Sequence, residues 1–220
     1  MSRVLEIKDL KLVLGGRTIL NIPAFSVNRE ESISIMGPNG AGKSSLLLIM
    51  AALQEPTRGT VYYFGREIKD QSVIDVRRRM AVVFQKPMLL SGTVMENVET
   101  GLKFRNLSRK ERERLVGPWL EKLHIDHLAR QRARSLSGGE AQRVALAQAL
   151  VLEPEVIFLD EPFANLDKGI RQELIDEIGT ILRAQRITTV MVTHSRSEAA
   201  AITDKIYLLE DGEITETEDL

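Results

Sequence analysis

The chain has 220 residues, 43% of them hydrophobic, which is enough to bury the core of one domain. Lys and Arg total 30 against 31 Asp and Glu, and this balance gives no sign of a nucleic-acid partner. The lack of cysteine excludes a disulfide framework. The N-terminus has no signal-peptide pattern, and no apolar run approaches the roughly 20 residues that cross a bilayer, so work at a membrane would require a membrane partner.

The first third of the chain has the alternation of β-strands. Residues 4–10 and 12–14 alternate between apolar and polar, and Gly15-Gly16 is typical of a hairpin turn. Residues 18–27 continue in extended form, and we expect Pro23 to break them. A further strand is predicted at residues 60–64. These strands predict an antiparallel β annex beside a mixed α/β core.

A phosphate-binding motif follows the short predicted strand at residues 32–36. Residues 37–44 fit G-x-x-x-x-G-K-[ST], and residues 45–52 have the pattern of a buried helix. Glycines allow the backbone N–H groups to turn inward around an anion, and the helix N-terminus points at the same place. Lys43 can reach the β- and γ-phosphates, and the Ser44 hydroxyl can bind magnesium. The predicted phosphate-binding residues are Gly37, Pro38, Asn39, Gly40, Ala41, Gly42, Lys43, Ser44 and Ser45.

The middle of the chain changes to helical spacing. A buried strand at residues 80–84 ends on Gln85, and from residue 93 to residue 123 apolar side chains recur at helical intervals. We therefore predict a helical lobe at residues 86–150, inserted into a core formed by residues 1–85 and 151–220. The apolar tripeptide Met88-Leu89-Leu90 either docks a partner helix or packs within the lobe.

Two more segments suggest phosphate chemistry. Residues 136–143 read Leu-Ser-Gly-Gly-Glu-Ala-Gln-Arg, in which Ser137 and two glycines form either a second phosphate site or only a helix cap. Residues 156–159 are a buried strand, followed directly by Asp160 and Glu161. Asp160 is placed to hold magnesium, and Glu161 to accept a proton from an attacking water.

Residues 136–143 resemble the signature motif of the ATP-binding cassette (ABC) family, and the other motifs follow in that family's order. Gln85 then resembles the family's Q-loop glutamine, which senses the γ-phosphate side and links to the partner, so it is an expected catalytic and metal-binding residue. His194, after a buried strand at residues 188–193, resembles the switch histidine, a further expected catalytic residue. Asn165-Leu166-Asp167 resembles the family's D-loop, although Asn165 stands where Ser or Ala is more common. The resemblance extends from about residue 4 to about residue 215 and implies a P-loop nucleotide hydrolase fold.

The resemblance implies an ATP-hydrolysing subunit that uses Mg²⁺ and works as a head-to-tail homodimer. ATP would lie between the phosphate loop of one copy and Ser137, Gly138 and Gly139 of the other. The implied partners are separate transmembrane permease subunits and a substrate-binding protein, and the chain itself would lie at the cytoplasmic face of the membrane. The sequence looks most like small bacterial importer ATPases for oxyanions such as tungstate, molybdate or phosphate. An exporter subunit and a soluble, non-transport ABC ATPase remain alternatives.

Leu14 departs from the family pattern. The family usually has an aromatic residue just before the first glycine turn, where it stacks on adenine. With Leu14 there, the base rests on an aliphatic surface or on another ring. The sequence leaves the adenine contact open.

Overall fold

The computed structural model describes residues 2–220, with the exception of the Glu216 side chain. They form two compact units. Unit 1 contains the residues up to Val82, Glu155–Glu161 and Ile175–Leu220, and unit 2 contains Val83–Pro154 and Pro162–Leu174. Residues 162–174, which the sequence assigned to the core, cluster with unit 2. The assignment of the whole chain to one domain stays a prediction.

The elements are numbered in chain order. The strands are β1 (Arg3–Leu14), β2 (Arg17–Asn28), β3 (Ser32–Met36), β4 (Arg58–Tyr63), β5 (Arg66–Glu67), β6 (Met80–Val83), β7 (Val156–Asp160), β8 (Thr188–Val192), β9 (Lys205–Glu210) and β10 (Glu213–Asp219). The α-helices are α1 (Lys43–Met50), α2 (Val73–Arg78), α3 (Val94–Val98), α4 (Thr100–Phe104), α5 (Arg109–Lys122), α6 (Gly138–Leu150), α7 (Lys168–Ala184) and α8 (Arg196–Ile202). Short 3₁₀ helices cover Ile68–Asp70, Asp126–Leu128 and Ala133–Ser135.

The first sheet of unit 1 is the predicted antiparallel annex, with strand order β2-β1-β4-β5. Gly15 and Gly16 form the hairpin turn with φ of +56° and +78°, and Leu14 pairs with Arg17 across it. The prediction that Pro23 breaks the second strand was wrong, since β2 runs through it. β2 lies at the edge of this sheet, where the missing proline N–H is tolerated.

The second sheet of unit 1 is mostly parallel and determines where the polar loops meet. Its strand order is β10-β9-β3-β8-β7-β6; β3 runs parallel to β8 and β9, and β7 runs parallel to β8. All of β8 is buried, as is β7 up to its final residue, which is typical of central parallel strands. The carboxyl ends of β3, β7 and β8 therefore share one edge, where parallel α/β sheets bind ligands. This confirms the predicted α/β class.

One hydrophobic core joins the two sheets of unit 1, and α1 contributes to it. Leu46 and Leu47 are fully buried in a cluster that also contains Ile7 of β1 and Ile35 of β3. Burial of this kind stabilises by about 1.5–3 kcal/mol for each side chain. The core therefore fixes α1, and with it the start of that helix at Lys43.

Unit 2 contains the predicted helices. The helical run at residues 93–123 is divided into α3, α4 and α5. α4 and α5 are separate because the chain turns at Asn106 with φ of +61° and Ser108 caps a new helix. Trp119 and Leu123 are buried, while Leu115, which shares their four-residue spacing, is half-buried. α3 and α5 both pack against α6. In the part of the chain that the structure describes, no helix is long and apolar enough to cross a membrane.

Candidate nucleotide site

The phosphate motif forms a tight loop between β3 and α1. Gly42 is the N-cap of α1 with φ of +97°, and no side chain caps the helix there. A Cβ on Gly37 would lie 2.0 Å from the backbone oxygen of Leu209, so the loop packs directly on β9. These two positions need glycine, the first for its conformation and the second for space. The N-terminus of α1 thus opens toward the loop, as an anion site requires.

Lys43 is the buried cation of this loop. Its side chain is only 7% exposed, and Nζ donates hydrogen bonds to the carbonyl oxygens of Gly37 and Pro38, at 2.8 and 2.9 Å. The ammonium group is therefore held inside the loop by neutral acceptors. A phosphate oxygen is a stronger, charged acceptor and can replace these carbonyls at little structural cost.

Ser44 and Asp160 meet at the carboxyl edge of the second sheet. Ser44 Oγ donates to Asp160 Oδ1 at 3.0 Å. Burial raises the pKa of Asp160, and the nearby Glu161 adds to this, while the Ser44 hydrogen bond and the Lys43 charge oppose it. A hydroxyl and a carboxylate oxygen are the hard ligands that Mg²⁺ prefers, usually together with water and substrate phosphates. Among residues 2–220 no group of three or more His, Asp or Glu side chains could hold a metal ion. A magnesium ion at Ser44 and Asp160 would therefore also need water or phosphate ligands.

Glu161 and His194 lie beside that pair. Glu161 has φ of +44°, and its N–H donates to the Val192 oxygen at 2.9 Å, which ties the turn after β7 to β8. His194 Nδ1 is 3.6 Å from Glu161 Oε1, too long for a strong hydrogen bond. Unit 1 thus brings together the phosphate loop and the polar residues that the sequence placed after three strands. Their roles stay predictions.

The signature segment begins α6 in unit 2. Ser137 is the N-cap, and the Glu140 carboxylate accepts hydrogen bonds from the Ser137 N–H and Oγ, at 2.7 and 2.8 Å. These bonds lower the pKa of Glu140. The Asn165 side-chain amide donates to the Gln85 carbonyl oxygen at 3.1 Å, and the Asn165 carbonyl oxygen would lie 3.7 Å from a Cβ on Gly138. Unit 2 therefore brings together Gln85, Asn165 and the start of the segment at residues 136–143.

Leu14 ends β1 and is 49% exposed, so its side chain is open to a ligand. Beside the phosphate loop in unit 1 is a cavity of about 420 Å³. It is lined by Thr18, Ile19, Pro38, Asn39, Gly40, Ala41, Asp211 and Gly212. Its volume suits part of a nucleotide.

Two buried residues at the turn that carries His194 were not predicted from the sequence. Thr193 and Glu198 are both buried, and the Thr193 hydroxyl donates to Glu198 Oε2 at 2.5 Å. The available signal was the pattern S-x-x-E from Ser195 to Glu198, which is typical of a helix start. Helix α7 was not predicted either, although Leu174, Ile178 and Ile181 are buried at helical spacing.

A glycine loop leading into a buried helix, with Lys43 in the loop and a Ser–Asp pair at the carboxyl edge of a parallel sheet, defines a P-loop nucleotide hydrolase. Residues 20–164 match the family model described as ABC transporter. The chain belongs to the ABC transporter family and has its ATPase cassette fold.

Individual relatives agree with this assignment. The chain is 36% identical over 97% of its length to the Fe(3+) ions import ATP-binding protein FbpC of Fusobacterium nucleatum, and spans 57% of that protein. It is 35% identical over 97% of its length to the tungstate uptake system ATP-binding protein TupC of Peptoclostridium acidaminophilum, and spans 98% of that protein. Its structure is similar to that of the ATP-binding cassette MJ0796, with a TM-score of 0.88, 31% identity and 98% of each chain covered. That cassette was solved as a dimer in a post-hydrolysis state bound to ADP and Pi.

Proposed function

We propose that this protein is the ATP-binding and ATP-hydrolysing subunit of an ABC importer, acting as a homodimer on separate permease subunits. The observation that carries the proposal is the arrangement of Lys43, Ser44, Asp160 and Glu161 at one sheet edge of unit 1. The protein would bind at the cytoplasmic face of the membrane through those permease subunits.

In this proposal each side chain has one task. The loop N–H groups and Lys43 bind the β- and γ-phosphates and neutralise their charge. Ser44 and Asp160 would hold Mg²⁺, which when bound would supply further charge neutralisation. Glu161 accepts the proton of the attacking water. His194, at 3.6 Å from Glu161, orients that carboxylate and the water beside it.

The signature segment would complete the site from the second copy. Ser137 and Gly138 are exposed at the start of α6, so they are accessible to a phosphate held by another molecule. The Ser137 hydroxyl already donates to Glu140, so a phosphate must compete with that carboxylate for it. The dimeric form in which the similar cassette MJ0796 was solved supports this arrangement.

We propose that the imported substrate is an oxyanion, with tungstate or molybdate favoured over phosphate. Support comes from TupC, which this chain matches along almost the whole of both lengths. A substrate-binding protein would deliver the anion to the permease.

The chemistry is tested by two variants that must differ from each other. Glu161→Gln keeps the side-chain shape, so it should retain ATP while hydrolysis slows on the order of 10²–10⁴-fold. Lys43→Ala should instead weaken ATP binding. Nucleotide retention after gel filtration and single-turnover hydrolysis separate the two effects. Unchanged turnover in Glu161→Gln would remove Glu161 from this role.

The importer assignment is tested by copurification from membranes. We expect the tagged protein to bring down a multi-span membrane protein together with a binding protein, which is then titrated with tungstate, molybdate, phosphate and sulfate. A membrane protein without any binding protein would indicate an exporter. Neither partner would indicate a soluble ATPase.

A further inference from the structure

A buried carboxylate lies behind the turn that carries His194. Glu198 in α8 is only 2% exposed, and its Oε2 accepts the Thr193 hydroxyl at 2.5 Å. The Thr193 oxygen in turn accepts the Ser195 N–H at 3.0 Å. One chain of hydrogen bonds therefore fixes the residue before His194 and the residue after it.

This arrangement differs from three other helix starts of the chain. At three helices the N3 glutamate turns back onto its own N-cap and closes a reciprocal capping box; these pairs are Thr93 with Glu96, Ser108 with Glu111, and Ser137 with Glu140. At α8 the Ser195 hydroxyl accepts the Glu198 N–H, but the Glu198 carboxylate points inward to Thr193. Burying a carboxylate is costly, and capping a helix does not require it.

The turn needs such support because His194 itself is poorly held by packing. Its side chain is 55% exposed, so the position of the imidazole depends on the backbone that carries it. The Thr193 N–H donates to the Ile35 oxygen of β3 at 3.3 Å, which ties the same turn to the strand that leads into the phosphate loop. Thr193 thus links α8 to that strand.

We propose that Glu198 is a positioning residue that acts through Thr193 to hold His194 at its distance from Glu161. The inference rests on the proposed ATPase function and deepens it. A hydrogen bond to a buried carboxylate holds its donor more firmly than a neutral acceptor does. The hydroxyl can therefore serve as a fixed point for the turn on both sides of the histidine.

The test removes the link at either end. Thr193→Val deletes the hydroxyl and keeps the shape, and Glu198→Gln deletes the charge. Each should lower kcat, by roughly tenfold for Thr193→Val and by less for Glu198→Gln, while the Kd for ATP changes less than about twofold. Thr193→Ser keeps the hydroxyl and should restore most of the activity. Ala200→Ser, which changes an exposed position of the same helix, is the matched control and should leave kcat unchanged.

A double-mutant cycle with His194→Ala distinguishes positioning from a general structural role. In single-turnover hydrolysis, Thr193→Val should lower the rate no further once the imidazole is absent. An equal fold-loss in both backgrounds would overturn the proposal. If Thr193→Val does not fold, as judged by its Tm, the same cycle is run with Glu198→Gln. Absence of ATPase activity in the wild-type protein would contradict the proposed function instead, so the two failures are distinguishable.

Discussion

Replacement of Gly37 by alanine tests how the phosphate loop is held against the sheet. The new Cβ would lie 2.0 Å from the Leu209 backbone oxygen, 1.0 Å inside the 3.0 Å limit that real Cβ contacts respect. The preceding residue, Met36, pairs with Leu208, so relief of the clash must open the end of the β3–β9 ladder. Overpacking together with one lost ladder hydrogen bond costs roughly 2–4 kcal/mol. For a protein of this size, that cost lowers Tm by about 5–15 °C.

Two other glycines serve as controls, because they have positive φ but open space. Gly40 has φ of +85° and Gly65 has φ of +82°, and a Cβ on either would meet no atom within 4 Å. Alanine at each should cost only the left-handed conformation, about 1–2 kcal/mol. Thermal unfolding should therefore give similar Tm losses for these two variants and a larger loss for Gly37→Ala. Titration with ATP should show weaker binding for Gly40→Ala, which lies in the loop, and not for Gly65→Ala. A Tm for Gly37→Ala equal to that of the controls would refute the packing argument.

Three further predictions concern other parts of the chain. The hydrogen bond from Arg79 lowers the pKa of Glu155. This carboxylate therefore stabilises the fold above its unfolded pKa, and the stabilisation is lost as the pH falls through its folded pKa. In thermal melts at a series of pH values, Glu155→Gln should lower Tm by about 2 °C at pH 7 and should not change Tm in acid. If Leu14 contacts adenine, Leu14→Tyr should tighten ATP binding by roughly 0.5–1.5 kcal/mol, which is a several-fold to tenfold lower Kd. Equal Kd values for the variant and the wild-type protein would place the base elsewhere. Met88 and Leu90 are 71% and 56% exposed, so replacing both with Ser should release the protein from membranes and keep basal ATPase activity. If ATPase activity and Tm both fall in this variant, the two side chains stabilise the fold instead.

The sheet edge with its polar residues could be predicted because each part has a local signal. Gly37, Asp160 and His194 each come within two residues of the end of an apolar strand. Parallel strands bring their carboxyl ends to one edge, so three separate local patterns predict one shared location. The hairpin at Gly15-Gly16 was predictable for the same reason, since its turn type depends on two adjacent residues.

Contacts that depend on distant residues gave no such signal. The bond from Asn165 to the Gln85 carbonyl joins residues 80 positions apart, and nothing near either residue indicates it. The mistaken break at Pro23 has a similar cause, because only the strand order shows that β2 is an edge strand where proline is tolerated. The edge position of β2 in the sheet, rather than the local pattern, decided the outcome.

Glu198 shows the same limit at the site itself. The pattern S-x-x-E correctly indicates that a helix begins at Ser195, but the same pattern elsewhere closes a reciprocal cap with an exposed or half-buried glutamate, as at Ser137 and Glu140. Which way the carboxylate turns depends on whether a donor lies behind it, and Thr193 is that donor because β8 ends one residue earlier, at the sheet edge. Tertiary position therefore converts an ordinary helix cap into a support for the turn that carries His194.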